Sequence, residues 1–248
     1  MRSGESEAVT YLYDPDVVLE HARSLLADAE QSAVVSIHET FLEAVLQELV
    51  AARERDVLVV LLLYDCHTVV DPVLDFESVA TIARQTDRSV PMYCVVDDLH
   101  GLYADPLLLV ENDPDHRASV VHNYDLAYAL YGQFVGNHWR AGQEVYRHGP
   151  PSLPVQVDNF RELVLHATGL IRQANPIVAT ADLVAWEDRD AIEGPVVEAT
   201  QGLLSTTEAR VSLQSTLVLR TEAGRTTVGG PGAYLEDYNA EGGRLRSI

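Results

Sequence analysis

DVLVVLLLYD, residues 56–65, is the stretch on which the fold turns. It is apolar at every position between two aspartates, so it has no face to offer to water. A strand of a one-sided sheet alternates. One buried on both faces does not, and such strands belong to parallel sheets covered by helices on either side. SAVVSIH (32–38) and SVPMYCVVDD (89–98) have the same character.

The segments between these runs have helical spacing. Asp14-Pro15 is a helix start, the aspartate capping and the proline fitting the first turn. After it Val18, His21, Ala22, Leu25 and Leu26 fall on one face. A second helix is expected from Glu39 to Arg55, with Phe41, Leu42, Val45, Leu46 and Leu49 in its apolar stripe, and a third from Asp75 to Thr86. The βαβαβ rhythm predicts an open α/β sheet. LYADPLLLVEN (102–112) is expected to add a strand, paired as a hairpin through the DDLHG turn. A long helix rich in Tyr, Phe and Trp is expected from Asp125 to Tyr146. Its Tyr124, Tyr128, Tyr131, Phe134 and Trp139 suit packing first and a ligand platform second.

HGPPSLP (148–154) holds three prolines in seven residues and cannot be the interior of a regular element. It divides the chain into an α/β domain, 1–149, and a smaller β-rich domain, 150–248. The second part opens with a helix, Asp158 to Gln173. Strand-like runs follow: PIVATADLVAW, GPVVEAT, ARVSLQSTLVLRTE and GRTTVGG, with TEAGR as a hairpin turn.

The formal charge is −21, and all 17 basic residues are arginine. An acid-rich surface without lysine suits concentrated salt, where charge repulsion is screened within a few ångströms. No basic stripe of the kind a DNA reader carries is present, so direct DNA binding by this chain is not expected. The lack of lysine also excludes a P-loop, a Schiff-base enzyme and a kinase. No apolar run is long enough for a membrane helix and the start has no signal-peptide core, so a cytoplasmic setting is expected. Cys66 and Cys94 lie in apolar runs and are expected to be buried free thiols.

Asp65, Cys66 and His67 end one strand, and Asp97, Asp98 and His100 end another. If those strands are neighbours, their ends could meet on a metal. No H-x-x-x-H, C-x-x-C or H-E-x-x-H spacing supports this, and no metal or cofactor is expected. G-x-S-x-G is absent too. The denser signal is VGGPGAYLEDY, 228–238, where glycines surround an acidic-aromatic knot. As local structure it is a turn, Gly229 to Gly232, feeding a last strand. Glycine lets backbone come close to a ligand, and a carboxylate such as Glu236 can accept two hydrogen bonds from adjacent sugar hydroxyls.

The order FRELVLHATGLIRQANPIVATADLV, EGPVVEAT, a hairpin, then TTVGGPGAYLEDYNAEGGRL is similar to the effector-binding region of TrmB-like archaeal transcriptional regulators. The first half resembles their α/β part, which is related in fold to phospholipase D. The resemblance covers nearly the whole chain and is specific in the VGG-x-x-A-x-x-E-D segment. It implies a phospholipase D-like open sheet that has lost catalysis, since H-x-K-x-x-x-x-D needs a lysine and His38 is followed by Glu39-Thr40. It also implies an effector module, not an enzyme, that binds a small sugar or polyol and signals by conformational change. The family's glycine and glutamate, six apart, fall on Gly230 and Glu236. A polar contact on the preceding strand, usually asparagine, falls on Ser215. Such regulators begin with a winged helix-turn-helix and a coiled coil. Here the α/β part begins by about residue 10, so a homodimer or a helix-turn-helix-bearing partner is expected to carry the signal. Two alternatives stand beside this reading: a non-sensing interaction subunit, and a cryptic phosphodiesterase or metal-dependent hydrolase.

Overall fold

A computed structural model describes residues 9–66, 74–186, 189–204 and 215–248. His67, one of the metal-ligand candidates, lies outside these. The chain divides into two compact units, Met1–His148 and Gly149–Ile248.

In the first unit the elements run β1 (Val9–Leu12), α1 (Pro15–Asp28), β2 (Ser32–His38), α2 (Leu42–Glu54), β3 (Leu58–Tyr64), α3 (Phe76–Val79), β4 (Ile82–Gln85), β5 (Met92–Val96), β6 (His100–Ala104), α4 (Pro106–Glu111), β7 (Ala118–His122), α5 (Tyr124–Gln133) and β8 (Gln143–Arg147). Among the described residues they form one sheet in the order β1-β7-β6-β5-β2-β3-β4-β8. β2, β3 and β4 are parallel, and every other pairing is antiparallel. All seven residues of β2 and all seven of β3 are buried, as the unbroken apolar runs require.

On one face α1 and α2 bring Val18, Ala22, Leu26, Val45 and Leu49 onto Val35, Ile37, Val59, Leu61 and Leu63. On the other, Tyr93 meets Phe134 edge-on at 5.9 Å, and Arg84 lies 4.7 Å over the Trp139 ring while donating to the Trp139 carbonyl. Tyr131, Phe134 and Trp139 are buried, and Tyr124 is partly exposed. Cys66 and Cys94 are buried free thiols, and burial pushes both up to about 12, so at neutral pH neither is a nucleophile. Among the described residues no helix is long and apolar enough to cross a membrane.

Three expectations are corrected. The helix expected over 75–86 is only α3, because β3 takes Ile82–Gln85 as a parallel neighbour. LLLVE is helix α4 and not strand: Asp105 caps it by accepting from the Leu107 amide at 2.9 Å, and Pro106 occupies its first turn. The aromatic helix stops at Gln133, passes through a π turn (Phe134–His138) and a 3-10 turn (Trp139–Ala141), and leaves residues 143–147 to pair with β4. The expected hairpin is present between β5 and β6, turned by left-handed backbone at Asp97 and Asp98.

The second unit contains β9 (Val155–Val157), α6 (Phe160–Arg172), β10 (Ile177–Trp186), β11 (Arg189–Thr200), β12 (Thr216–Thr221), β13 (Gly224–Gly229) and β14 (Tyr238–Ser247). The order is β10-β11-β12-β13-β14-β9, and β14 also pairs with β10, which closes the sheet on itself. Closure needs β14 to come close to β10. A Cβ on Gly243, at φ 157°, would run into the Thr180 carbonyl oxygen of β10, so only glycine fits. α6 packs Phe160, Leu163, Val164 and Ala167 against Ala179, Leu217, Leu219 and Leu245. Asn159 caps it, accepting from the Arg161 and Glu162 amides. The TEAGR turn is the β12–β13 hairpin, with Thr221 opposite Gly224.

Candidate functional site

The glycine-rich ending is built on the last turns of the closed sheet. β13 ends at Gly229, and the Ala233 amide donates to the Gly230 carbonyl at 3.1 Å, so the turn spans Gly230–Ala233 with Gly232 at φ 77°. Residues 234–237 bend back into β14. This return places the Glu236 carboxylate over Gly229: a Cβ built there would meet Ala233 Cβ at 2.5 Å and Glu236 Cδ at 2.9 Å. Register does the rest. Thr216, first residue of β12, stands directly opposite Gly229, and its hydroxyl donates to Glu236 Oε1 at 2.6 Å.

The other carboxylate oxygen, Oε2, is buried and has no hydrogen-bond partner among the described residues. Leaving such an oxygen unpaired costs about 1–3 kcal/mol or more. A held carboxylate with one oxygen bonded and the other buried without a partner among the described residues has capacity for one more hydroxyl or amide donor. The adjacent Asp237 has the opposite role. Its Oδ2 accepts from the Thr227 amide at 2.8 Å and the Thr227 hydroxyl at 2.9 Å, while its own amide donates to that hydroxyl. It pins the loop.

These bonds, the backbone amide of Thr227 first, hold the Asp237 carboxyl below its ordinary range. A carboxyl depressed on folding contributes stability above its unfolded pKa and loses it as pH falls through the folded one. Thr227→Val keeps the backbone amide and loses the hydroxyl, so it is expected to lower stability at neutral pH by no more than about 1 kcal/mol, the group being exposed, and the difference should narrow but not vanish as pH falls through the carboxyl's range, because the Asp237 amide lacks its hydroxyl acceptor at every pH. Urea melts of both proteins from pH 2 to 7 check this.

Of the residues expected from sequence, Glu236 stands at the centre of this arrangement. Gly230 opens the turn, and a Cβ there would lie 3.4 Å from Phe160 Cδ1, an ordinary contact. Ser215 precedes β12 by one residue and is half-buried. Sequence reasoning did not single out Thr216 or Gly229. The alternation of the TLVLRT strand could have flagged Thr216, but the carboxylate's position over Gly229 is a product of the return loop. Tyr234 and Leu235, at the loop tip beside Glu236, are 89% and 80% exposed.

The strand-end metal arrangement does not form. β5 lies on the far side of β2 from β3 and runs antiparallel to both, so Asp97 and Asp98 end at the opposite edge of the sheet from Asp65 and Cys66. Asp97 instead accepts from the amides of Glu30, Gln31 and Ser32. Among the described residues no three metal-ligating side chains converge.

A family model for the N-terminal subdomain of the effector-binding domain (EBD) of the transcriptional regulator TrmB matches residues 8–146. A second, for the C-terminal subdomain of the TrmB/TrmBL1 EBD, matches residues 152–247. No curated protein matches the chain. Among solved structures, the archaeal chromatin protein TrmBL2, described with a novel mode of DNA binding, is similar at 12% identity and a TM-score of 0.44, over 58% of this chain and 57% of its own. The chain thus spans little more than half of that relative. The phospholipase D family member Nuc from Salmonella typhimurium aligns at 19% identity and a TM-score of 0.42, over 56% of this chain and 98% of its own. Phosphatidylserine synthase from Haemophilus influenzae Rd KW20 aligns at 12% and 0.41, over 87% of this chain and 49% of its own.

Proposed function

Because the chain belongs to the TrmB family of transcriptional regulators, matching both subdomains of their effector-binding domain, we propose that it senses a small sugar or polyol through Glu236. The observation that carries the reading is the carboxylate itself, anchored by Thr216 on one oxygen and unpartnered, among the described residues, on the other. Vicinal hydroxyls are donors matched to such an acceptor, and a bond to a charged group is the stronger kind. Gly230 supplies backbone approach in this reading, and Ser215 a weaker polar contact at the start of β12.

Oε2 is buried, with Ala233 and the carboxylate crowded over Gly229. A hydroxyl reaches it only when the Gly230–Ala233 turn gives way. Ligand binding and loop movement are then one event, which is what a ligand must achieve to shift a conformational equilibrium. The signal passes to a second copy or to a DNA-binding partner. Phospholipase D chemistry has no part in this reading: a chain without lysine cannot form H-x-K-x-x-x-x-D. The −21 charge and the arginine-only basic set favour work in concentrated salt.

The experiment is a thermal-shift panel of common sugars and polyols, with the full chain in molar potassium chloride. A true ligand at about 100 times its Kd stabilises the fold by about 2.7 kcal/mol, a shift of several degrees. Silence across the whole panel sinks the sensor reading. It would favour the interaction-subunit alternative, for which the exposed Tyr234 and Leu235 at the loop tip are the supporting observation.

A further inference from the structure

A different part of the molecule, in the first unit, carries an inference independent of the sugar reading. His100 opens β6 and His122 closes β7, and the antiparallel register sets them directly opposite each other. Their rings approach at 4.2 Å between centroids, inclined by 65°, and the two Nδ1 atoms stand 2.8 Å apart. Two neutral imidazoles can hold that distance only if one Nδ1 carries a proton and the other a lone pair. The same two nitrogens stand at the spacing of adjacent imidazole ligands, and turning the rings would bring both lone pairs onto one metal ion.

We propose that His100 and His122 form a two-histidine site for a divalent late transition metal, Cu²⁺ or Ni²⁺. Distance selects within the class. With metal–imidazole bonds of about 2.0–2.1 Å, ligands at 90° stand about 2.9 Å apart and tetrahedral ones about 3.3 Å. The observed 2.8 Å fits the right-angle geometry of Cu²⁺ and Ni²⁺ better than tetrahedral Zn²⁺. The rings need only turn on their side chains to aim both lone pairs at one point beside the N–N line. His122 is exposed and His100 half-exposed, so the turn is unobstructed by core packing and water fills the remaining positions.

Asp97 and Asp28 place negative charge near His100, against its burial and the facing His122. Asp97 is committed to three backbone amides, so it supplies field and not a bond. His21 on α1 also lies within electrostatic reach of His100. With no three such side chains converging among the described residues, the protein donates two ligands. The site is therefore exchange-labile, unlike a closed structural centre.

The test is Cu²⁺ titration of the full chain in potassium sulfate, which avoids halide ligands, followed by calorimetry and electron paramagnetic resonance. Wild type is expected to bind one ion with two imidazole nitrogens in the equatorial plane. His122→Asn and His100→Asn should each bind at least tenfold more weakly and show one nitrogen fewer. His148→Asn, elsewhere in the first unit, should match wild type. Circular dichroism establishes that each variant is folded, and His122, being exposed at a strand end, carries no core packing. A loss below tenfold in either folded variant, or an unchanged spectrum, overturns the assignment.

Discussion

Glu236→Gln is expected to move stability and binding in opposite directions. In the ligand-free protein the substitution replaces a carboxylate whose Oε2 is buried without a partner among the described residues by a neutral amide of the same shape. An unpaired buried charge is worse than an unpaired buried amide, so the ligand-free fold should gain up to about 1–3 kcal/mol, and its Tm should rise or hold. The Thr216 hydroxyl keeps an acceptor at Oε1. Binding behaves otherwise. A hydrogen bond to a charged acceptor contributes about 1.5–3 kcal/mol, so its loss weakens a polyol ligand by roughly 10- to 150-fold. A ligand that shifted the wild-type Tm by several degrees should then shift the variant by about half as much at the tenfold end of that range and by little at the other. Stabilisation bought at the expense of binding is the usual signature of a functional site. If Glu236→Gln instead melts early and binds as well as wild type, the carboxylate is a structural brace and the site lies elsewhere. Paired melts with and without ligand read both quantities from one set of samples.

Parts of this structure were legible in the sequence for physical reasons, and other parts were hidden for equally physical ones. β2 and β3 could be read because burial on both faces leaves no alternative to an unbroken apolar run. α1 could be read because Asp14 and Pro15 fix its start, and the Asp14 carboxylate does accept from the Asp16 amide. The same pair recurs at Asp105-Pro106, yet three leucines and a valine masked helix α4 as a strand; the cap was the better guide. β4 and β8 are short, and they exist as strands because neighbours offer them hydrogen bonds, a tertiary cause that no local window contains. The hairpin at Asp97-Asp98 was legible from its turn, but the antiparallel entry of β5 beside β2 was not, since parallel and antiparallel neighbours feed similar apolar runs. In the candidate site, Glu236 was accessible through a motif, whereas Thr216 and Gly229 are joined to it by register and by the return of the chain.

The two neighbouring glycines separate what the fold needs from what the proposed ligand would need. At Gly229 a methyl group would stand 2.5 Å from Ala233 Cβ, 2.9 Å from Glu236 Cδ and 3.0 Å from its Oε2. Gly229→Ala must therefore push the turn or the carboxylate aside. Overpacking of this kind costs about 1–3 kcal/mol, and the displaced carboxylate should also lose its ligand. At Gly230 the nearest atom to a new methyl is Phe160 Cδ1 at 3.4 Å, and its φ is not among the left-handed ones. Gly230→Ala is tolerated by the fold and, through the stiffer unfolded chain, should hold or raise the Tm by the equivalent of about 0.4–1 kcal/mol. If ligand approaches the backbone here, the same methyl fills the space it needs, and affinity should fall at least tenfold in a protein that melts no earlier than wild type. Wild-type affinity in Gly230→Ala would remove that residue from the site and leave recognition to Thr216, Gly229 and Glu236. Loss of both Tm and binding in Gly229→Ala, beside loss of binding alone in Gly230→Ala, would place the ligand on the outer side of the turn.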